Sequence, residues 1–309
     1  MLPRQFPPRT QRRRSVFVTC GLAALLALSN SDADGRQARI GVLRIGATGT
    51  LSGKADSAKE KAGAETLHRF IKDETGLENA IVGQVHWQDL VGKMAKGQLH
   101  IGVFQGHEFA WAQEKHPDLK PLAIGVNGQR YSVAIVLANR DNPANDFAGL
   151  QGQQLAMPSA SRSFLRLFVD RQCASAGKKT DAFFSQITTP DDLEDTLDDV
   201  VDGKVQAIVV EQAAVEAFKR RKPGRFLKLK EVVRSQPFPP TVVAYFGATL
   251  DESTLRKFKD GLLGAARKEK GEMLLTLSKL SGFETVPDDF ARVIAETRKH
   301  YPPPSTKAE

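Results

Sequence analysis

The sequence predicts an α/β fold of two lobes joined by two hinge crossings, and three observations carry that expectation. Strand-like and helix-like segments alternate along most of the chain, which implies mainly parallel sheets covered on both faces. Two helix–glycine–strand–polar residue–helix units recur 106 residues apart, at Gly97 and Gly203. The alternation breaks near 128–132 and again near 233–241, where a chain that visits one lobe, then the other, then returns would cross. The 309 residues, 41% hydrophobic and 26% charged, hold enough apolar material for two modest cores.

The elements follow in order. Leu43–Ala47 is a strand, and Lys59–Thr75 is a helix with Ala62, Leu67, Phe70 and Ile71 on one face, stopped by Gly76. Ala80–Trp87 is a strand, Gln88–Lys96 a helix with Gly97 as its C′ residue, and His100–Phe104 a strand. Glu108–Lys115 is a helix closed by Pro117. Leu122–Val126 and Ser132–Leu137 are strands with no helix between them, and a polar stretch, Asn139–Asp146, follows. Alternation resumes with strand Gln154–Met157, a helix at Ser163–Ala174 and a strand at Phe183–Ile187. Thr189-Pro190-Asp191-Asp192 reads as a helix start, a hydroxyl cap with Pro at N1, ahead of the stripe Leu193, Leu197, Val200 and Val201. Strand Val205–Val210, helix Glu211–Arg221, strand Thr241–Phe246 and helices Asp251–Lys268, Gly271–Leu280 and Asp288–His300 complete the chain, with a disordered tail from Pro302. The expected organisation is a signal segment 1–33, a first lobe of 36–130 plus 240–309, and a second lobe of 131–239.

Charge is distributed unevenly. The net charge of +8 includes five arginines, Arg4, Arg9, Arg12, Arg13 and Arg14, with no acid before Asp32, so removing residues 1–29 leaves +3. That balance demands no anionic polymer, and no nucleic-acid partner is expected. The arginines followed by the apolar run Val16–Leu28 read as an export signal, too short to span a bilayer comfortably; an uncleaved membrane tether is the alternative. Cleavage would leave Cys173 as the remaining cysteine, which excludes an internal disulfide and a thiolate metal cluster.

Catalytic signatures are missing from the sequence. None of the six histidines falls into HExxH or other metal-ligand spacing, and there is no nucleophile elbow, phosphate-binding P-loop or dinucleotide fingerprint. No cofactor and no metal are expected. Asp191, Asp192, Asp198 and Asp199 read as solvated acids of a helix surface.

The polar residues at strand ends point to ligand binding instead. Ser159, Ser161 and Ser163 cluster between a strand and a helix start, where free N–H groups and the helix dipole favour an anion; one serine acting as a simple cap is the alternative. Gln105, Gly106 and His107 form the matching turn of the first lobe, with Gly106 letting backbone approach a ligand. Thr48 and Thr50 follow the first strand at the edge where open α/β sheets place ligands. Glu211 stands at the end of the repeated strand, where it could equally favour its own helix. Trp87 and Tyr131 are candidate apolar walls, with core packing the competing role.

Residues 40–300 resemble the substrate-binding proteins of phosphate, phosphite and phosphonate ABC transporters, which have the type 2 periplasmic-binding-protein fold. The resemblance rests on the order and spacing of Trp87-Gln-Asp-Leu-Val-Gly-Lys-Met-Ala-Lys-Gly, Gln105-Gly-His-Glu-Phe-Ala, Leu119-Lys-Pro-Leu-Ala, Tyr131-Ser-Val-Ala-Ile-Val and Leu150-Gln-Gly-Gln-Gln-Leu-Ala, the last just ahead of the serine-rich helix start. It implies a phosphoryl-gripping role for Ser159, Ser161 and Ser163, aromatic ligand contacts at Trp87 and Tyr131, and an acid able to meet a ligand amine at Glu211. The chain departs from the pattern at Phe164, where glycine is common, at Arg162, which adds charge to the turn, and at Tyr131-Ser132, which lacks an intervening arginine. The implied protein is a monomeric, extracytoplasmic solute binder that closes like a flytrap on a small phosphorus oxyanion and hands it to an ABC permease. The alternatives are a ligand sensor for a receptor kinase and a lyase- or synthase-type enzyme on the same bilobal fold.

Overall fold

The computed structural model describes residues 40–49, 57–159, 161–247 and 249–304, all within the compact unit Gln37–Glu309. The expected signal segment 1–33 and Thr50 lie outside the described residues.

The elements of the first lobe are β1 (Val42–Thr48), α1 (Ser57–Thr75), β2 (Glu78–Val85), α2 (Trp87–Ala95), β3 (Ile101–Phe104), α3 (Gly106–Lys115) and β4 (Leu119–Val126). The second lobe holds β5 (Ala134–Asn139), β6 (Gln154–Ala156), α4 (Ser163–Ser175), the single turn α5 (Thr180–Phe183), β7 (Gln186–Thr188), α6 (Leu193–Val201), β8 (Ala207–Glu211), α7 (Gln212–Arg221), the turn α8 (Pro223–Phe226) and β9 (Leu229–Arg234). The chain then returns to the first lobe with β10 (Thr241–Phe246), α9 (Glu252–Leu263), α10 (Glu269–Leu277), β11 (Gly282–Glu284) and α11 (Phe290–His300).

Two sheets result, ordered β11-β4-β10-β3-β1-β2 and β7-β6-β8-β5-β9. They share one plan. In each, one strand pairs in parallel with two neighbours, β1 with β2 and β3, β6 with β7 and β8. In each, a strand that follows a hinge crossing runs antiparallel between two others, β10 between β3 and β4, β5 between β8 and β9. β3 and β8 therefore occupy equivalent places, as the repeat at Gly97 and Gly203 implies. Both glycines have left-handed backbone, φ 67° and 74°, which ends the preceding helix without a Cβ penalty.

Strand sequence and core correspond residue by residue. Along β8, Ala207 and Val209 pack on one face with Phe164, Phe168 and Cys173, while Ile208 and Val210 pack on the other with Leu197, Val200 and Phe218. This two-sided burial explains an unbroken apolar strand with no polar alternation. In the first lobe, α2 buries Trp87, Leu90, Val91 and Met94 at helical spacing against β3, β10 and α11, and α1 buries Phe70 and Ile71 against the opposite face. Each such side chain contributes about 2 kcal/mol of burial free energy.

Several boundaries differ from expectation for local reasons. Trp87 opens α2 instead of ending a strand. Phe183 closes the turn α5, and β7 starts only at Gln186. The helix expected from Thr189 starts at Leu193, because Asp192 is the N-cap and accepts the Asp195 N–H at 2.9 Å, while the Pro190 carbonyl accepts the Ser159 N–H at 2.8 Å. β4 runs through Pro121, tolerated at a register shift opposite Val243 and Ala244. The expected Asp251–Lys268 helix stops at Leu263, before Gly264. Residues beyond Pro302 as far as 304 are described, and the Pro302 carbonyl accepts from Arg171 of α4 at 2.8 Å, so the ordered chain extends further than expected; 305–309 lie outside the described residues.

The crossings lie side by side. Ser132 and Phe238 exchange two backbone hydrogen bonds, Ser132 N–H to Phe238 at 3.1 Å and the reverse at 2.8 Å. Phe238 packs on Phe164 of the second lobe at 5.0 Å and on Tyr301 at 4.4 Å. A short two-strand hinge of this kind is suited to lobe closure.

Candidate ligand-binding cleft

The turns after β3 and β6 meet between the lobes, where the Ser163 hydroxyl lies 3.4 Å from His107 Nε2, and Glu211 at the end of β8 stands beside that junction, 3.6 Å from Arg162. Gln105 and Glu211 are the N-caps of α3 and α7, with nearly identical extended backbone, φ/ψ −65°/149° and −76°/146°. That identity follows from the shared sheet plan: each residue turns its chain from a strand end into the next helix.

The serine turn joins β6 to α4. Ser159 donates its hydroxyl to Asp191 at 2.7 Å. The Ser161 N–H is bound to the Pro158 carbonyl at 2.9 Å. Ser163 is the first helical residue, and the N-cap is Arg162, which makes no side-chain cap hydrogen bond. None of the three serines is therefore the helix cap, and the start of α4 keeps its dipole end without side-chain compensation.

Two polar contacts cross the cleft at this turn. The Ser163 hydroxyl lies 3.4 Å from His107 Nε2. Arg162 Nη2 donates to the Lys279 carbonyl of the first lobe at 3.0 Å. Lys279 itself has a left-handed backbone, φ 52°. Arg162 Nε also lies 3.6 Å from the Glu211 carboxylate, with both side chains more than four-fifths buried. Burial raises the Glu211 pKa, and the Arg162 and then the Lys279 charges pull against that rise.

His107 is buried, edge-on to Trp111 at 4.9 Å and to Phe238 at 6.5 Å. Desolvation lowers its pKa from 6.5 to about 3, so the ring is neutral at neutral pH. The native state then binds this proton more weakly than the unfolded chain. Stability present above about pH 6.5 is lost as pH falls toward 3, by about 2 kcal/mol already at pH 5. Glu211, whose pKa is raised, acts with the opposite sign. The effect is therefore read as the difference in urea midpoint between pH 7 and pH 5 for the wild type against His107→Gln, in which the pH 5 loss is expected to shrink.

The remaining expected site residues have distinct settings. Thr48 is the last residue of β1 and is buried. Trp87 is 4% exposed, packs on Trp111 at 5.8 Å and carries Lys115 over its ring at 5.6 Å, a core position of the first lobe. The Tyr131 hydroxyl donates to Asp289, which fixes the first crossing to α11; burial raises its pKa and the Tyr131 bond lowers that of Asp289. Gly106 makes room for the hinge: a Cβ there would lie 2.0 Å from the Pro239 carbonyl oxygen and 2.6 Å from that of Pro240. The backbone it admits is the second hinge crossing.

Among the described residues, no group of three or more His, Cys, Asp or Glu side chains could hold a metal ion. The acids expected to be solvated are partly paired: Asp198 with Lys222 and Arg225, Asp199 with Lys204. No described helix is long and apolar enough to cross a membrane. Lys279, Asp289 and Phe238 carry no sequence signal as cleft or hinge residues, since each acts through a partner far away in the chain.

Comparison with known proteins agrees with this architecture. Over residues 52–290 the sequence matches the family described as ABC transporter, phosphonate, periplasmic substrate-binding protein. Comparison with curated proteins finds no match. Among solved structures, XAC2383 from Xanthomonas citri, bound to chloride ion, superposes with a TM-score of 0.60 at 16% identity, covering 85% of this chain and 98% of that one. PhnD1 from Prochlorococcus marinus, in complex with methylphosphonate, gives 0.56 at 14% identity, covering 84% and 97%. A binding-protein component of an ABC phosphonate transporter from Pseudomonas aeruginosa gives 0.53 at 15% identity, covering 83% and 85%. These three share the fold. The chain belongs to the family of periplasmic substrate-binding proteins of phosphonate-type ABC transporters, and it has that family's two-lobed type 2 fold.

Proposed function

We propose that this protein captures a small phosphorus oxyanion, such as a phosphonate, phosphite or phosphate, between its lobes and delivers it to a membrane permease. The observation that carries the reading is the serine turn. Ser161 and Ser163 stand at an α4 start whose N-cap makes no side-chain hydrogen bond, and Ser163 faces His107 across the cleft at 3.4 Å. Hydroxyls and backbone N–H groups at a helix start hold an anion without requiring a net positive site. The methylphosphonate carried by PhnD1 is a ligand of this chemistry on the same fold.

The lobes in this reading are 36–130 plus 240–309 and 131–239, with Thr48, Thr50 and Gln105–His107 closing onto the serine turn. The arginine-led N-terminus, as a signal peptide or a tether, places the protein outside the cytoplasm, where it works as a monomer. The test is thermal unfolding with methylphosphonate, phosphite and phosphate. At a hundred times its dissociation constant, a ligand that binds only the native state adds about 2.7 kcal/mol, or about 5 °C in melting temperature for a chain of this size. A panel in which none of these anions moves the transition sinks the proposal.

A further inference from the structure

Arg162 lies within the serine turn yet spends its charge elsewhere. Its Nε faces Glu211 at 3.6 Å, and its Nη2 is held by the Lys279 carbonyl at 3.0 Å on the other lobe. The two side chains are 14% and 18% exposed. A carboxylate this enclosed needs a cation beside it, since an unpaired buried charge is strongly unfavourable. Glu211 caps α7 at the end of β8, next to the turn that would hold the phosphoryl group, so a cation entering with a ligand could reach it. The chain supplies that cation itself. The guanidinium is also tied across the cleft, so it cannot swing aside without losing an interlobe bond. Lys279 adds a second positive charge near Glu211.

We propose that the Arg162–Glu211 pair is a charge filter: it satisfies the cleft carboxylate from within the chain, so the site takes phosphonates with uncharged substituents and discriminates against those with a cationic arm. This rests on the phosphorus-oxyanion reading above. An ammonium group approaching Glu211 would either stand beside Arg162 as a like charge or displace it. Both outcomes weaken binding relative to a neutral arm of equal size.

The experiment is calorimetric titration of the full chain with 2-hydroxyethylphosphonate and 2-aminoethylphosphonate, matched in size and differing in charge, and with methylphosphonate. Wild type is expected to bind the hydroxyl compound at least about 10-fold more tightly than the amine. Arg162→Ala, which leaves Glu211 to seek a cation, is expected to reduce that ratio about 10-fold or invert it. Glu211→Gln, which leaves Arg162 unpaired, is expected to move the ratio the other way, and it keeps the question decidable where Arg162→Ala fails to fold. Equal wild-type affinity for the two compounds, or an unmoved ratio in the folded variants, overturns the charge filter while leaving the phosphorus reading intact. Binding of none of the three compounds overturns the phosphorus reading and the filter with it.

Discussion

Gly106→Ala is expected to destabilise the protein by about 3 kcal/mol, at the upper end of what overpacking a dense interior brings. The added methyl group would meet two backbone carbonyls, at 2.0 and 2.6 Å, both belonging to the proline pair of the second crossing. Prolines have little freedom to move aside, and the crossing is bound to its neighbour through Ser132 and Phe238. Strain introduced at Gly106 therefore passes into the hinge. Chemical unfolding measures the loss, and Gly92→Ala is the control. Gly92 lies within α2, where an added methyl group would find nothing within 4 Å, so alanine there is expected to stabilise by about 0.5–1 kcal/mol through helix propensity. Comparable small effects at both sites would remove the argument that hinge backbone dictates Gly106.

Ser161→Ala with Ser163→Ala is expected to lower affinity for methylphosphonate by about 100-fold or more. Each hydroxyl donating to a charged oxygen is worth about 1.5–3 kcal/mol, and two of them bring the loss to that scale. The double variant also removes the contact of Ser163 with His107, so closure without ligand weakens in parallel. Ser159→Ala is the internal comparison. Its hydroxyl already donates to Asp191, so it has no second proton for a phosphoryl oxygen and its loss is expected to matter less. Titration calorimetry gives the affinities, and far-ultraviolet dichroism checks the fold. A double variant that binds as tightly as wild type would move the ligand away from this turn.

The parts of the fold legible in the sequence are those dictated locally. Gly97 and Gly203 mark equivalent helix ends because a left-handed residue is needed there, and they locate β3 and β8 without reference to the rest of the chain. Val205–Val210 and Thr241–Phe246 read as strands because their apolar runs are covered on both faces. β9 and β11 were not legible. β9 carries Lys230, Glu231 and Arg234 at an edge beside a register shift, and β11 is three residues long. Thr189-Pro190 satisfies the local rule for a helix start, yet the Pro190 carbonyl is committed to Ser159, and the real cap is Asp192.

The candidate site is legible as a set of strand ends, whereas its side-chain partnerships are not. The serine cluster announces itself by three hydroxyls in five residues. That Arg162 pairs with Glu211, 49 positions later, and with the Lys279 carbonyl follows only from the way two similar sheets face each other. Gly106 illustrates the same limit. Its need for close backbone approach is readable, and the identity of the approaching backbone is not. Trp87 and Tyr131 are ambiguous for the reason all large aromatics are: a wall of a cleft and a member of a core have the same composition.

The proposed function puts a phosphorus oxyanion between the lobes on the serine turn. A crystal structure of the purified protein saturated with methylphosphonate tests it most directly. Phosphonate density is expected with its oxygens about 3 Å from the Ser161 and Ser163 hydroxyls, at the start of α4, and with His107 on the facing lobe. Density for the ligand outside the cleft, or an empty serine turn in crystals grown at a saturating concentration, would contradict it.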